Sequence, residues 1–489
     1  MRYLIGVDIG TSGTKTVLFD ECGRVVADKT VEYPMYQPQN GWAEQDPQDW
    51  FAAVRDTLIA VSAALPEGGE VAGIGLSGQM HGLVMLDEAG EVIRPSIIWC
   101  DQRTGAECEE ITARVGAERL IEITANPALT GFTASKILWV RNHEPENYAK
   151  CKHILLPKDY IRYRLTGEFA TEVSDAGGMQ LLDIAKRQWS AEVLEALDID
   201  PALLAPVYES PEITGYVKGL GVLEGVPVVG GAGDNAAAAV GSGAVAAGRA
   251  FTTIGTSGVV YAHTDKPVID PKGRVHTFCC AVPGKWHVMG VTQGAGLSLK
   301  WFRTQFATEI SYREIDEIAA TVPVGAEKLL YLPYLMGERT PHLDPNARGV
   351  FFGMSAMHEK KHFLRAVLEG VTYSLRDCVE VLREMDIPLD GMTVVGGGGK
   401  SALWREMIAG TFNLPVKTIQ NGEGAALGVA ILAGVGTGVY ESVEAACDKL
   451  IAYNEPQLPT DTDAYEAYYQ IYRTVYPALK ASFAKLAGV

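Results

Sequence analysis

The run Val226-Pro-Val-Val229, followed by Gly230-Gly-Ala-Gly233-Asp234-Asn235 and four alanines, is the stretch on which the fold turns. The apolar residues predict a short buried strand, three glycines in four residues break it, and small residues from Asn235 predict a helix. Asp234 is thereby presented at the carboxyl end of a strand, where α/β folds place ligands. The glycines let something bulky approach the backbone. Three readings are open. Asp is a favoured helix N-cap; a lone carboxylate so placed is a general base; and Gly231-x-Gly233-x-x-Ala236 has the frame of a dinucleotide turn. The last needs an acidic residue about 20 positions on for a ribose, and residues 247–254 supply none. The stretch by itself favours the cap, and the remainder of the chain favours the base.

A chain of 489 residues is too long for one core and suits two domains. Its 47% hydrophobic and 21% charged residues are those of a soluble globular protein. The net charge is −18, with no cluster of Lys and Arg, which argues against nucleic acid and anionic membranes as partners. No apolar run approaches the ~18 residues of a membrane span. The chain enters a strand at once, without a basic leader, so a cytoplasmic protein is expected. An acidic protein that binds a polyphosphate must mask its own field with loop amides, a lysine or Mg²⁺. The eight cysteines include no C-x₂-C spacing, and the adjacent Cys279-Cys280 suits neither zinc nor an ordinary disulfide. They are expected as buried small hydrophobes in a reducing compartment.

Tyr3 to Val7 reads as a strand ending in Asp8-Ile-Gly10-Thr11-Ser12-Gly13-Thr14-Lys15, with strands Thr16 to Phe19 and Arg24 to Ala27 after it. A Gly/Thr/Ser turn can wrap amides and hydroxyls around phosphate oxygens. It could equally be a plain hairpin turn, but Asp on one flank and Lys on the other ask for a Mg²⁺-phosphate partner. Beyond the loop Gly41-Trp42-Ala-Glu44 come a helix over 50–64 and a strand over 71–76 that opens into Ser77-Gly-Gln79-Met80-His81-Gly82. A strand over 96–99 ends in Cys100-Asp101-Gln-Arg103, and helical segments follow to about Ala205. Residues 249–254, Gly255-Thr256-Ser257-Gly258 and 259–262 repeat the first hairpin. That repeat predicts two related domains, 1–245 and 246–489, facing across a cleft, with Gly241 to Gly248 as hinge. Val394 occupies a position where Walker A requires glycine, so Gly396-Gly-Gly398-Gly-Lys400-Ser401 is instead a glycine turn opening a helix, able to lie against a phosphate or nucleobase. Gly422 to Leu432 predicts a small-residue helix, suited to close packing near a hinge and equally to a plain buried helix.

Taken in order, these motifs resemble the FGGY family of carbohydrate kinases, within the actin, hexokinase and Hsp70 superfamily. Gly337-Glu-Arg-Thr-Pro341 through Ala347-Arg-Gly-Val-Phe-Phe-Gly353 looks like a family signature. The resemblance implies an α/β fold of two duplicated ribonuclease-H-like domains flanking a cleft, with sugar on the first and ATP on the second. Ser77 to Gly82 together with Trp99 to Arg103 most resemble members acting on D-xylulose, implying ATP- and Mg²⁺-dependent phosphorylation of its terminal hydroxyl. On that resemblance Asp234 is the base and Asp8 holds Mg²⁺ through water. Thr11, Ser12, Lys15 and Thr256 meet the phosphates, and Gly397, Gly398 and Lys400 the nucleotide. Gln79, Met80, His81, Asp101, Arg103 and Asn235 surround the sugar. Arg103 has a second reading as a brace for Asp101, and Trp42 and Glu44 either line the pocket or order their loop. Sister kinases of ribulose, gluconate, erythritol or glycerol share the mechanism; a gluconate pocket wants a further cation, which Met80 and His81 do not supply. A nucleotide switch or sugar-binding regulator is the non-enzymatic alternative, opposed by the intact pair Asp8 and Asp234. The expected partners are small molecules, and the assembly, a homodimer included, is left open.

Overall fold

The computed structural model describes residues 1–420 and 422–489. Its first sheet contains β1 (Arg2–Ile9), β2 (Gly13–Asp20), β3 (Val25–Glu32), β4 (Glu70–Gly78), β5 (Ile213–Tyr216) and β6 (Pro227–Val229) in the order β5-β6-β4-β1-β2-β3. The strands β1, β2 and β3 form antiparallel hairpins, whereas β4 runs parallel to β1. Central β1 is a nearly unbroken buried apolar run, as a strand covered on both faces requires. At the edge, β3 exposes Asp28 and Lys29, charges that discourage pairing with another chain.

The second sheet repeats the plan. It orders β7 (Gly248–Ile254), β8 (Gly258–Thr264), β9 (His276–Cys279), β10 (Trp286–Thr292), β11 (Leu389–Val395) and β12 (Val416–Lys417) as β9-β10-β8-β7-β11-β12. Again an antiparallel hairpin, β7-β8, heads the sheet and a parallel strand, β11, lies beside β7. The helices that matter below are α1 (Pro47–Ser62), α2 (Asp234–Ser242), α3 (Lys360–Glu384), α4 (Ala402–Phe412) and α5 (Gly424–Gly436). The buried α3 backs the second sheet, and its Val371, Leu375 and Leu382 belong to that half's core.

The halves are joined where α2 meets α5. A Cβ on Gly241 would run into the Gly424 carbonyl, and one on Gly428 into the Ala237 carbonyl. On the strand side, a Cβ on Gly6 or Gly75 would strike the Ala426 or Val429 carbonyl of α5. The small residues of α5 thus seat it against α2, β1 and β4 at backbone contact, in a core shared by both halves.

Some expectations are corrected. The strand read over 96–99 is only Ser96–Ile97, because Trp99 leaves the sheet and turns toward the cleft. All eight cysteines are free thiols, but not all are buried: Cys22 is exposed, and Cys100 and Cys108 are half-buried. Among the described residues no helix is long and apolar enough to cross a membrane.

Candidate active site

Strand register assembles the site. Asp8 pairs across β1-β2 with Lys15 and across β1-β4 with Ser77. On the far side of β4, Ala232 and Gly233 pair with Ser77 and Gly78. The carboxyl end of β4 therefore delivers Gln79, Met80 and His81 between Asp8 and the Asp234 turn. That turn is held from below by a fully buried charged cluster. Arg162 donates to the Gly230 carbonyl, the Gly233 amide donates to Ser174 Oγ (3.1 Å), and Ser174 donates to Glu172 (2.9 Å). Lys158 neutralises Asp159 at 2.7 Å and Glu172 at 3.3 Å. Such a network is costly in isolation, but here it fixes the turn at two points, the Gly230 carbonyl and the Gly233 amide.

Asp234 is not a cap: Gly233 holds that position, and Asp234 is the first helical residue of α2. Its Oδ1 accepts from the amide (2.7 Å) and side chain (3.0 Å) of Asn235, and among the described residues Oδ2 meets no donor. Loss of solvation and the nearby charge of Asp8 push its pKa up to about 7. Asp8 accepts from Ser77 (2.8 Å), and its pKa too is raised by loss of water. The lysine expected to serve a phosphate, Lys15, is ion-paired with Glu423 of the second half.

A cavity of about 280 Å³ opens beside Asp234, lined from the first half by Met80, His81, Trp99, Phe132 and Asn235. The second half contributes Gly255, Ser257, Met289 and Arg339. His81 has a left-handed backbone, φ 68°, an unusual state for a non-glycine residue and one that clusters at functional sites. Its carbonyl is held by Lys136 Nζ at 2.7 Å and Thr133 at 3.1 Å. His81 Nδ1 lies 2.7 Å from the Gly178 carbonyl. A carbonyl only accepts, so Nδ1 carries the proton and Nε2 is left as an acceptor. Burial lowers the pKa of this histidine to about 3, keeping it neutral. The Phe132 ring packs 4.8 Å from the His81 ring. Trp99 donates its indole N–H to Thr11 Oγ1 at 2.9 Å, linking the cavity wall to the first hairpin turn.

Three residues expected around the sugar stand behind this wall. Asp101 is fully buried and spends its oxygens on the Ala43 amide (2.6 Å) and on Arg103. Arg103 bonds Asp101 and Glu44, and its guanidinium lies 3.7 Å over Trp42. Gln79 turns inward to Gln45 at 2.8 Å. Trp42 and Glu44 therefore order their loop around Arg103 and do not line the cavity. Conversely, Trp99, Phe132 and Arg339 were not singled out from sequence. The signal for Arg339 lay in Gly337-Glu-Arg, where nothing local separates a site arginine from a loop arginine.

A second cavity, about 590 Å³, is lined by Thr256, Gly397, Gly398, Lys400, Tyr312, Asp316 and Trp404. Gly396 has φ 84° and lies against Ile254, so the turn from β11 into α4 depends on glycine. Gly255 belongs to both cavities, so the two meet at the hairpin turn of β7 and β8. Thr11, Ser12 and Lys15, on the matching first turn, line neither.

Two duplicated sheets around a cleft, with two adjoining cavities and a partly desolvated carboxylate on the wall of the smaller one, define a kinase of the actin and hexokinase-like fold. The chain belongs to the FGGY family of carbohydrate kinases, whose N-terminal domain matches residues 3–241 and whose C-terminal domain matches residues 250–437. It is 42% identical to the xylulose kinase of Lactococcus lactis over 97% of each chain. It is 33% identical to the gluconokinase of Bacillus subtilis over 97% of this chain and 94% of that one. Among solved structures, the ligand-bound xylulose kinase of Lactobacillus acidophilus superposes with a TM-score of 0.94 at 29% identity, covering 99% of this chain and all of the other.

Proposed function

We propose that this protein transfers the γ-phosphoryl group of ATP to the terminal hydroxyl of D-xylulose. The observation that carries the reading is the meeting of the two cavities at Gly255, with Asp234 on the wall of the smaller one. Nucleotide in the larger cavity and sugar in the smaller would face one another at the base. The sugar's carbon face has Phe132 and Trp99 for a wall, and its hydroxyls have His81 Nε2 and Asn235 as partners. Xylulose is the substrate named for the Lactococcus lactis relative, the highest in identity of those reported above, and for the Lactobacillus acidophilus structure.

Phosphoryl transfer needs positioning and charge neutralisation more than covalent help. Asp234 would accept the hydroxyl proton on its open Oδ2 as the terminal oxygen attacks. The residues also fit Mg²⁺: Asp8 and Asp234 are neighbouring carboxylates, and the nearest lysine, Lys15, already has a partner. Among the described residues no cluster of three His, Cys, Asp or Glu could hold a metal alone, which suits an ion that keeps its waters and leans on substrate phosphates. Asp8 would hold it through water, and when bound it would neutralise charge on the transferring group. A cytoplasmic location belongs to the same reading.

A sugar acid is the second reading, and one observation favours it: the cavity does hold a cation, Arg339 rather than the Arg103 expected from sequence. An ADP-release assay over pentuloses, polyols and gluconate separates the two. Xylulose is expected to give the highest kcat/KM; preference for gluconate would replace the first reading by the second.

A further inference from the structure

We infer that Arg339 is the second half's direct contact to the sugar, a specificity-determining residue that reads substrate oxygens from across the cleft. The inference rests on the reading above only in that a sugar occupies the smaller cavity. Four observations support it. Among the described residues Arg339 is the one Arg or Lys lining that cavity. Among the described residues it forms no ion pair and donates no side-chain hydrogen bond, although it lies close to neutral His81 and His276. Shielding from water lowers its pKa, and the charge of the neighbouring Glu338, which accepts only the Arg339 backbone amide, offsets this in part. Its neighbours, by contrast, are fixed. Glu338 accepts the amides of Arg339 (2.7 Å) and Gln293 (2.9 Å) and the Thr292 hydroxyl (2.6 Å). Thr340 pairs with Val291 at the end of β10, donating its amide at 3.0 Å and accepting the Val291 amide at 3.1 Å.

The chain thus spends buried hydrogen bonds on clamping residues 338 and 340, and leaves the side chain between them unpaired in a cavity. An unpaired, poorly hydrated charge is unfavourable and is relieved when acceptors arrive. Sugar hydroxyl or carbonyl oxygens are such acceptors, and a planar fork of five donors meets two at once. Because Arg339 belongs to the second half and His81 to the first, a sugar that bonds both ties the halves together.

The test is steady-state kinetics and thermal melting of R339M and R339K beside the wild type, using whichever panel sugar the wild type turns over best. A wrong choice of sugar therefore leaves the test standing, and if none is turned over, calorimetric binding of the same sugars replaces KM. R339M is expected to raise the sugar KM about ten- to a hundredfold, with the ATP KM within about twofold. R339K should recover part of the loss through its charge. Melting of R339M should be unchanged or higher, because no bond of the resting protein is removed. A sugar KM unchanged in R339M overturns the inference. So does a parallel loss toward sugar and ATP with a lowered melting temperature, which would make Arg339 a structural brace.

Discussion

Asp234 and Asp8 are like charges held near one another, and each raises the question of what the other is for. In Asp234→Asn the N-cap, Gly233, is untouched and the repulsion with Asp8 is relieved. Melting should therefore be unchanged or higher, while kcat falls by about 10²–10⁴, the usual worth of a positioned base. Asp8→Asn should lose activity that is partly recovered by raising Mg²⁺, which Asp234→Asn should not; identical Mg²⁺ responses would remove the division of roles. Lys136 acts behind the site, holding the carbonyls of His81 and Gly131 at 2.7 Å each. Burial lowers its pKa to about 7, whereas an unfolded lysine titrates near ~10.4. Between those values the unfolded chain binds more protons, so this group's contribution to stability rises with pH. Lys136→Met should cost about 1–3 kcal/mol, and urea unfolding should show the gap to wild type widening from pH 7 toward pH 10. At this scale the sequence was only half legible. Asp234, Met80 and His81 could be read because each lies beside a local turn. Asp101 and Arg103 could be read as a pair, but not which way they faced, since Ala43, Glu44 and Trp42 arrive from another loop.

The elements were legible wherever period and breakers agreed: both hairpins, the β4 strand and the glycine turn before α4 lie close to where composition places them. Ser96–Ile97 fell short because three apolar residues in a row do not say whether Trp99 continues a strand or fills a cavity. More consequential is the α2-α5 contact: the glycines of 422–432 could be read as close-packing residues and Gly241 as part of a hinge, but not that they meet one another. Their role follows from the carbonyls they face. Gly428→Ala should push α5 away from Ala237, at a cost of about 1–3 kcal/mol typical of overpacking. Chemical denaturation should show a lower midpoint with an unchanged slope. An alanine tolerated without loss would mean that the helices slide freely at this point.

For the whole molecule, the cleft lies between sheets tied together at α2 and α5, and its smaller cavity draws residues from both. Sugar and nucleotide together should draw the halves inward and exclude the water that would otherwise hydrolyse ATP. Small-angle scattering with xylulose and a non-hydrolysable ATP analogue should record a smaller radius of gyration, and an unchanged one at saturation would count against closure. In each half a helix follows the last strand of the core sheet: α2 after β6 and α5 after β12. Asp234 opens the first and Glu423 caps the second. The two acids stand one position apart at matching helix starts, and Glu423 is neutralised by Lys15 while Asp234 has no cationic partner among the described residues. A lysine from the opposite turn thus occupies one acid and leaves the other open, which gives a repeated scaffold a direction.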